Sequence, residues 1–116
     1  MLEFPQSARL AKPEDYRRVF DSPAFKVSSA AFLLLAQHAE HSRSRVGVII
    51  AKKHVKLATR RNRLKRLVRE QFRLNLFQPS LDLVVLARSA ADDMDNAQVT
   101  NDLAQLWTKL QRKASA

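Results

Sequence analysis

Apolar residues recur along this chain first at helical and then at strand spacing. Tyr16, Val19 and Phe20 are separated by three, four and one, which puts them on one face of a helix. Pro13 suits the first turn of that helix, where a missing amide costs nothing. Glu14 and Asp15 complement the positive end of its dipole, and Asp21-Ser22-Pro23 stops it. Residues 1–11 before it read as an irregular arm. Phe25 to Gln37 is rich in apolar residues and holds no turn dipeptide, so it reads as a short strand, Phe25 to Ser28, and a longer one, Ala31 to His38. The polar turn His41-Ser42-Arg43-Ser44 leads to a third strand, Arg45 to Lys52, with β-branched Val46, Val48, Ile49 and Ile50. Gly47, the only glycine in the chain, lies inside it and marks a bulge or a close approach.

The rhythm then returns to helix. From Leu57 to Leu76, Leu64, Leu67, Val68 and Phe72 fall in one arc, and Pro79 closes the segment. Leu81-Asp82 leads out of that turn into Leu83 to Ala87, an unbroken apolar run that reads as a strand buried on both faces. In the last element Asp95 is placed as an N-cap with Gln98 three residues on, the capping-box pattern. Val99, Leu103, Leu106, Trp107 and Leu110 then form one stripe, and Arg112 to Ala116 reads as a frayed tail. The order α-β-β-β-α-β-α predicts an α+β fold, a mixed four-stranded sheet with helices packed on it. At 116 residues the chain suits a single domain, residues 1–116.

Composition narrows the class. There is no cysteine, which excludes disulfides and thiolate metal sites and agrees with a cytoplasmic setting. The longest apolar run, Ala30 to Ala36, is too short to cross a bilayer, and Met1 to Pro5 lacks the basic and apolar regions of a signal peptide. The net charge of +10 is distributed unevenly: Lys52 to Arg73 holds ten basic residues against Glu70 alone, while the remainder is nearly neutral. Within that segment Arg61, Lys65 and Arg69 lie four residues apart, with Asn62, Arg66 and Arg73 beside them, in one arc flanking the apolar face. A solvated helix face usually alternates signs to gain i,i+4 pairs. This one does not, and a rigid cationic row of this kind fits a polyphosphate, releasing its condensed counterions and gripping phosphates through planar guanidinium forks. The chain therefore reads as an RNA-binding protein.

The same residues carry a family resemblance. Arg45-Val46-Gly47, then Ala51-Lys52-Lys53, then Arg61-Asn62-Arg63-Leu64-Lys65-Arg66-Leu67-Val68-Arg69-Glu70 resembles the protein subunit of bacterial ribonuclease P over nearly the whole chain. Many members have a glycine between Lys-Lys and Arg-Asn-Arg, where this chain has His54-Val55-Lys56-Leu57. The resemblance implies a subunit of a ribonucleoprotein endonuclease that removes the 5′ leader of precursor tRNA. Its RNA subunit performs the hydrolysis with magnesium ions that the RNA mainly holds, and no obligate protein partner or membrane is expected. It further implies docking of the catalytic RNA on Arg61, Asn62, Arg63, Lys65, Arg66 and Arg69, together with Lys52, Lys53 and Arg60. A cleft between sheet and first helix would receive the leader at Tyr16, Arg17 and Phe20, with Phe32 as a further candidate on a strand. A left-handed crossover from third to fourth strand is implied too, where general rules favour a right-handed one.

The cleft also has a physical rationale. Single-stranded RNA is held by bases stacked on aromatic rings beside basic groups, and Tyr16 and Phe20 stand one helical turn apart. An aromatic pair at that spacing is otherwise core. His38, His41 and His54 show no metal-ligand spacing, and Asp92, Asp93 and Asp95 read as complements to a helix start before a magnesium cluster. No nucleophile–base–acid set and no glycine-rich phosphate loop is visible, so no catalytic residue is assigned. By physics alone a structural RNA-binding protein, such as a ribosomal protein, fits equally well. A membrane-surface or duplex-DNA binder fits less well, because the basic helix lacks the bulky aromatic face of an interfacial anchor.

Overall fold

In the computed structural model residues 9–40, 43–75 and 77–116 are described. The elements are α1 (Pro13–Asp21), β1 (Phe25–Ser28), β2 (Phe32–His38), β3 (Arg45–Ile49), α2 (Ala58–Arg73), β4 (Leu81–Ala87), a single turn α3 (Ser89–Asp92) and α4 (Asn96–Ser115). The strands form one sheet in the order β1-β2-β4-β3. β1 pairs with β2 and β2 with β4, both antiparallel, whereas β3 and β4 are parallel and joined through α2. This is the mixed four-stranded sheet of an α+β fold.

Alternation along the strands sends successive side chains to opposite faces. On one face Val27, Phe32, Leu34, Ala36, Val46, Leu81, Leu83, Val85 and Ala87 meet Leu64, Leu67, Val68 and Phe72 of α2 and the Val99–Leu110 stripe of α4 in the main core. Trp107, Phe72 and Phe77 pack there with ring centroids about 6 Å apart. On the other face α1 covers a smaller cluster, with Val19 on Leu35 and Val84. β4, interior to the sheet and covered on both sides, is the buried run expected of it, but it begins at Leu81. Leu81 and Asp82 already pair with His38 and Gln37 of β2.

Local signals behave as physics dictates. Pro13 opens α1, whose last residue is Asp21. Asp95 accepts from the Gln98 amide while the Gln98 side chain accepts from the Asp95 amide, both at 2.8 Å. Two expectations fail, and one element was unforeseen. β3 stops at Ile49, three residues short of Lys52. The turn α3 was not expected. The tail does not fray before Ser115: Ala114 is buried, the Lys113 ammonium donates to the Lys26 carbonyl, and Gln111 donates to the Ser115 hydroxyl. Of the arm, residues 1–8 lie outside the described region, as do His41 and Ser42 of the polar turn. Arg9 makes a parallel bridge to Val46, and Leu10 donates to the Val46 carbonyl at 3.0 Å, so this end of the arm lies along the outer edge of β3.

Candidate nucleic-acid interface

The basic arc lies on α2, and the helix holds it because its apolar stripe is anchored in the core. Leu64 and Val68 are fully buried, which fixes the rotation of the helix and turns Asn62 and Arg66 out to solvent, with Arg61, Lys65, Arg69 and Arg73 partly exposed beside them. Lys52 and Lys53 are exposed in the turn after β3. That turn is pinned by fully buried Val55, whose amide donates to the Ala51 carbonyl. The His54-Val55-Lys56-Leu57 loop is thus held by an apolar anchor.

Not every cation of the segment is equally available. Arg61 donates to the carbonyls of Val55 and Lys56 at 2.9 and 2.8 Å, clamping the loop to the helix. Arg63 donates to Met94 O and Asn96 Oδ1, tying the start of α2 to the start of α4, and Arg60 pairs with Asp92 at the end of α3. Asp92 is therefore an ion-pair partner and Asp95 a helix cap. Among the described residues no cluster of three or more His, Asp or Glu side chains assembles a metal site.

The second surface is the α1 face of the sheet. The registers define three rows across β2, β4 and β3 on that face: Gln37–Asp82–Arg45, Leu35–Val84–Gly47 and Leu33–Leu86–Ile49. α1 covers the first two. In the first, the carboxylate of Asp82 is fully buried and held by Arg45, through Nε at 3.0 Å and Nη2 at 2.9 Å, and by Arg18, which also pairs with Glu40. Arg45 also reaches Asp15. The carboxylate, through its hydrogen bond, raises Arg45 above the usual guanidinium range despite burial. This network locks one flank of α1. In the second row Gly47 lies directly under Tyr16: a Cβ there would stand 2.5 Å from the phenol ring. The lone glycine thus marks a close approach, by a side chain.

The third row, Leu33–Leu86–Ile49, is only partly covered. Helical spacing turns Phe20 away from Arg18 and toward this row. Phe20 is 40% exposed, unusual for a phenylalanine, and Arg17 beside it is exposed. Tyr16 is partly buried, and burial raises its phenol above the ordinary value with Arg69 opposing. Arg69 is itself lowered, by burial first and then by the like charge of Arg9. Arg69 of α2 is thus within electrostatic reach of Tyr16 and Arg9 at the β3 edge, where the two surfaces adjoin.

Phe32 does not line this cleft. It is fully buried in the main core on the opposite face. Neighbouring strand residues face opposite ways, and its neighbour Leu33 holds the cleft position. Leu33, Leu86, Ile49, Arg9 and Arg69 are parts of this surface that the residue pattern did not assign to it. So is Arg88, exposed at the end of β4 and bonded to Ser29 O at 2.8 Å. No periodicity states which face of a sheet a helix will cover. His54 contacts the Ser89 hydroxyl and His38 packs edge-on against Phe25, both away from any metal-like cluster among the described residues.

Comparison with known proteins gives a uniform result. The family model described as Ribonuclease P matches residues 4–111. The ribonuclease P protein component of Marinobacter nauticus is 46% identical over 112 residues, covering 97% of this chain and 85% of that one. That of Acinetobacter baylyi is 44% identical, covering 98% and 88%. Among solved structures, an RNase P protein of Staphylococcus aureus superposes with a TM-score of 0.78 at 29% identity, covering 84% of this chain and 90% of that one. The RNase P protein from Thermotoga maritima gives 0.75 at 31%, covering 90% and 96%.

Proposed function

The chain belongs to the ribonuclease P protein family, and we propose that it docks onto a catalytic RNA subunit through α2 and holds the 5′ leader of precursor tRNA along the α1 face of its sheet. As a component of that endoribonuclease it supplies binding and orientation. The hydrolysis belongs to the RNA, and the magnesium it needs is held there, with no protein ligand assigned. No helix among the described residues is long and apolar enough to cross a membrane. The cytoplasm, where precursor tRNA is made, is the proposed setting.

One observation carries the proposal: two surfaces of different chemistry adjoin at Arg69. The α2 arc is cationic and presents Arg66 and Lys65 on a rigid helix, suited to folded RNA whose phosphates crowd together. The α1 face offers an open apolar row bordered by Tyr16 and Phe20, suited to unpaired bases, each stacked base contributing about 1–3 kcal/mol. A leader lying on that row would leave the phosphate-binding edge near Arg69 and Arg9, so both RNAs approach one junction. Phosphate contacts set affinity and register while the stacked bases distinguish a leader from a mature 5′ end.

The test separates the surfaces. Phe20→Ala in the assembled enzyme should weaken binding of leader-bearing precursor tRNA and leave mature tRNA binding and subunit assembly unchanged. Arg66→Ala should weaken assembly instead. Equal loss of assembly in both variants would refute the division.

A further inference from the structure

A second cationic groove, of about 520 Å3, lies at the far edge of the sheet, lined by Lys26, Val27 and Ser28 of β1 and Lys109, Arg112 and Lys113 of α4. It holds four cations and no acidic side chain. The negative end of the α4 dipole accounts for Arg112 and Lys113 in its last turn. It does not account for Lys109, a turn earlier, nor for Lys26 on another element.

The backbone adds donors. Ser29 donates to Phe32 O, and the antiparallel alternation then turns Val27 and Phe25 toward β2. The amides and carbonyls of Lys26 and Ser28 consequently point outward along the free edge of β1. The Lys113 ammonium already occupies the Lys26 carbonyl at 2.8 Å. That blocks an incoming peptide strand at Lys26, since such a strand needs acceptor and donor alike. It leaves the two amides and the ammonium groups to outnumber the one remaining acceptor, the Ser28 carbonyl, a balance that suits a phosphate.

The groove continues the cleft. Ser28 is in register with Leu33, so the open row Ile49–Leu86–Leu33 runs on to Ser28, and the covered row beside it ends at Lys26. With strands about 4.8 Å apart, the path from β3 to β1 is roughly 14 Å. Resting on the leader-cleft reading above, we infer that this groove binds the phosphate backbone of the distal leader, where the single strand leaves the α1 face over β1. The cleft takes bases of the proximal leader, and the groove takes phosphates without regard to sequence.

Leader length provides the experiment. The assembled enzyme carrying Lys109→Gln and Arg112→Gln, both exposed, is titrated with precursor tRNAs whose leaders are shortened one nucleotide at a time, at several salt concentrations. With long leaders affinity should fall several-fold, and the log–log salt slope should drop by about 0.7 per lost phosphate contact. With leaders confined to the cleft, affinity should match the unaltered enzyme. No change at any length, or the same loss at every length, overturns the inference. Phe20→Ala serves as the separate control: normal binding of short leaders by that variant refutes the cleft itself, whatever the groove variant does.

Discussion

Gly47→Ala is the most informative single perturbation, because one methyl group connects the sheet to the ring above it. Gly47 has no positive φ, so alanine fits its backbone without strain and even stabilises by about 0.4–1 kcal/mol through the unfolded chain. The added Cβ, however, would stand 2.5 Å from the ring of Tyr16. Carbon contacts are most favourable at about 3.5–4.0 Å, so the ring must retreat by roughly 1 Å or more. Overpacking of this kind costs about 1–3 kcal/mol, which leaves a net destabilisation on the order of 1 kcal/mol after the alanine gain. Urea unfolding should register that modest loss. Binding should register more. A displaced Tyr16 forfeits much of a stacked base worth about 1–3 kcal/mol, so affinity for leader-bearing precursor tRNA should fall about 5- to 10-fold. Mature tRNA binding should hold. The decisive assay is a double-mutant cycle with Tyr16→Ala: once the ring is gone, the methyl group has nothing to displace, and Gly47→Ala should cost no further leader affinity. An equal loss in both backgrounds would refute the reasoning, since it would place the effect in the strand and not in the ring.

Other outcomes follow from the same geometry. Asp82→Ala leaves Arg18 and Arg45 facing a buried gap; breaking a buried ion pair costs about 3–5 kcal/mol, and because Glu40 and Asp15 remain nearby the lower end applies, a fall in Tm of roughly 10 °C by calorimetry. Arg66→Ala should lower the log–log salt slope of binding to the RNA subunit by about 0.9, whereas Arg60→Ala, whose guanidinium is engaged by Asp92, should change it less; filter binding across salt concentrations compares the two. Tyr16 is the only tyrosine, so its phenolate absorbance can be followed directly and should appear above pH 10.0 in the folded protein. Its folded pKa is raised, so the stability linked to the neutral phenol is complete below pH 10.0 and is lost as pH rises through the folded value. Tyr16→Phe should remove that part of the alkaline loss in urea titrations.

Elements whose signals are local could be read from the residues alone. Pro13, the Asp95–Gln98 box, the Leu64–Phe72 arc and the Val99–Leu110 stripe each specify an element through the bonding or burial of residues within a few positions. The crowding of positive charge on one helix was equally legible, because charge is a property of the side chain and the helical step assigns its face. Tertiary structure alone decided what depends on distant partners. It placed α1 on the sheet face away from α2, which buried Phe32 and opened Leu33, and it extended β4 to Leu81 through pairing with β2. It also diverted Arg60, Arg61 and Arg63 into internal bonds and made a free edge of β1 beside α4. A strand's alternation gives two faces without saying which will be covered. That choice is made by whichever packing buries the most apolar surface across the whole chain.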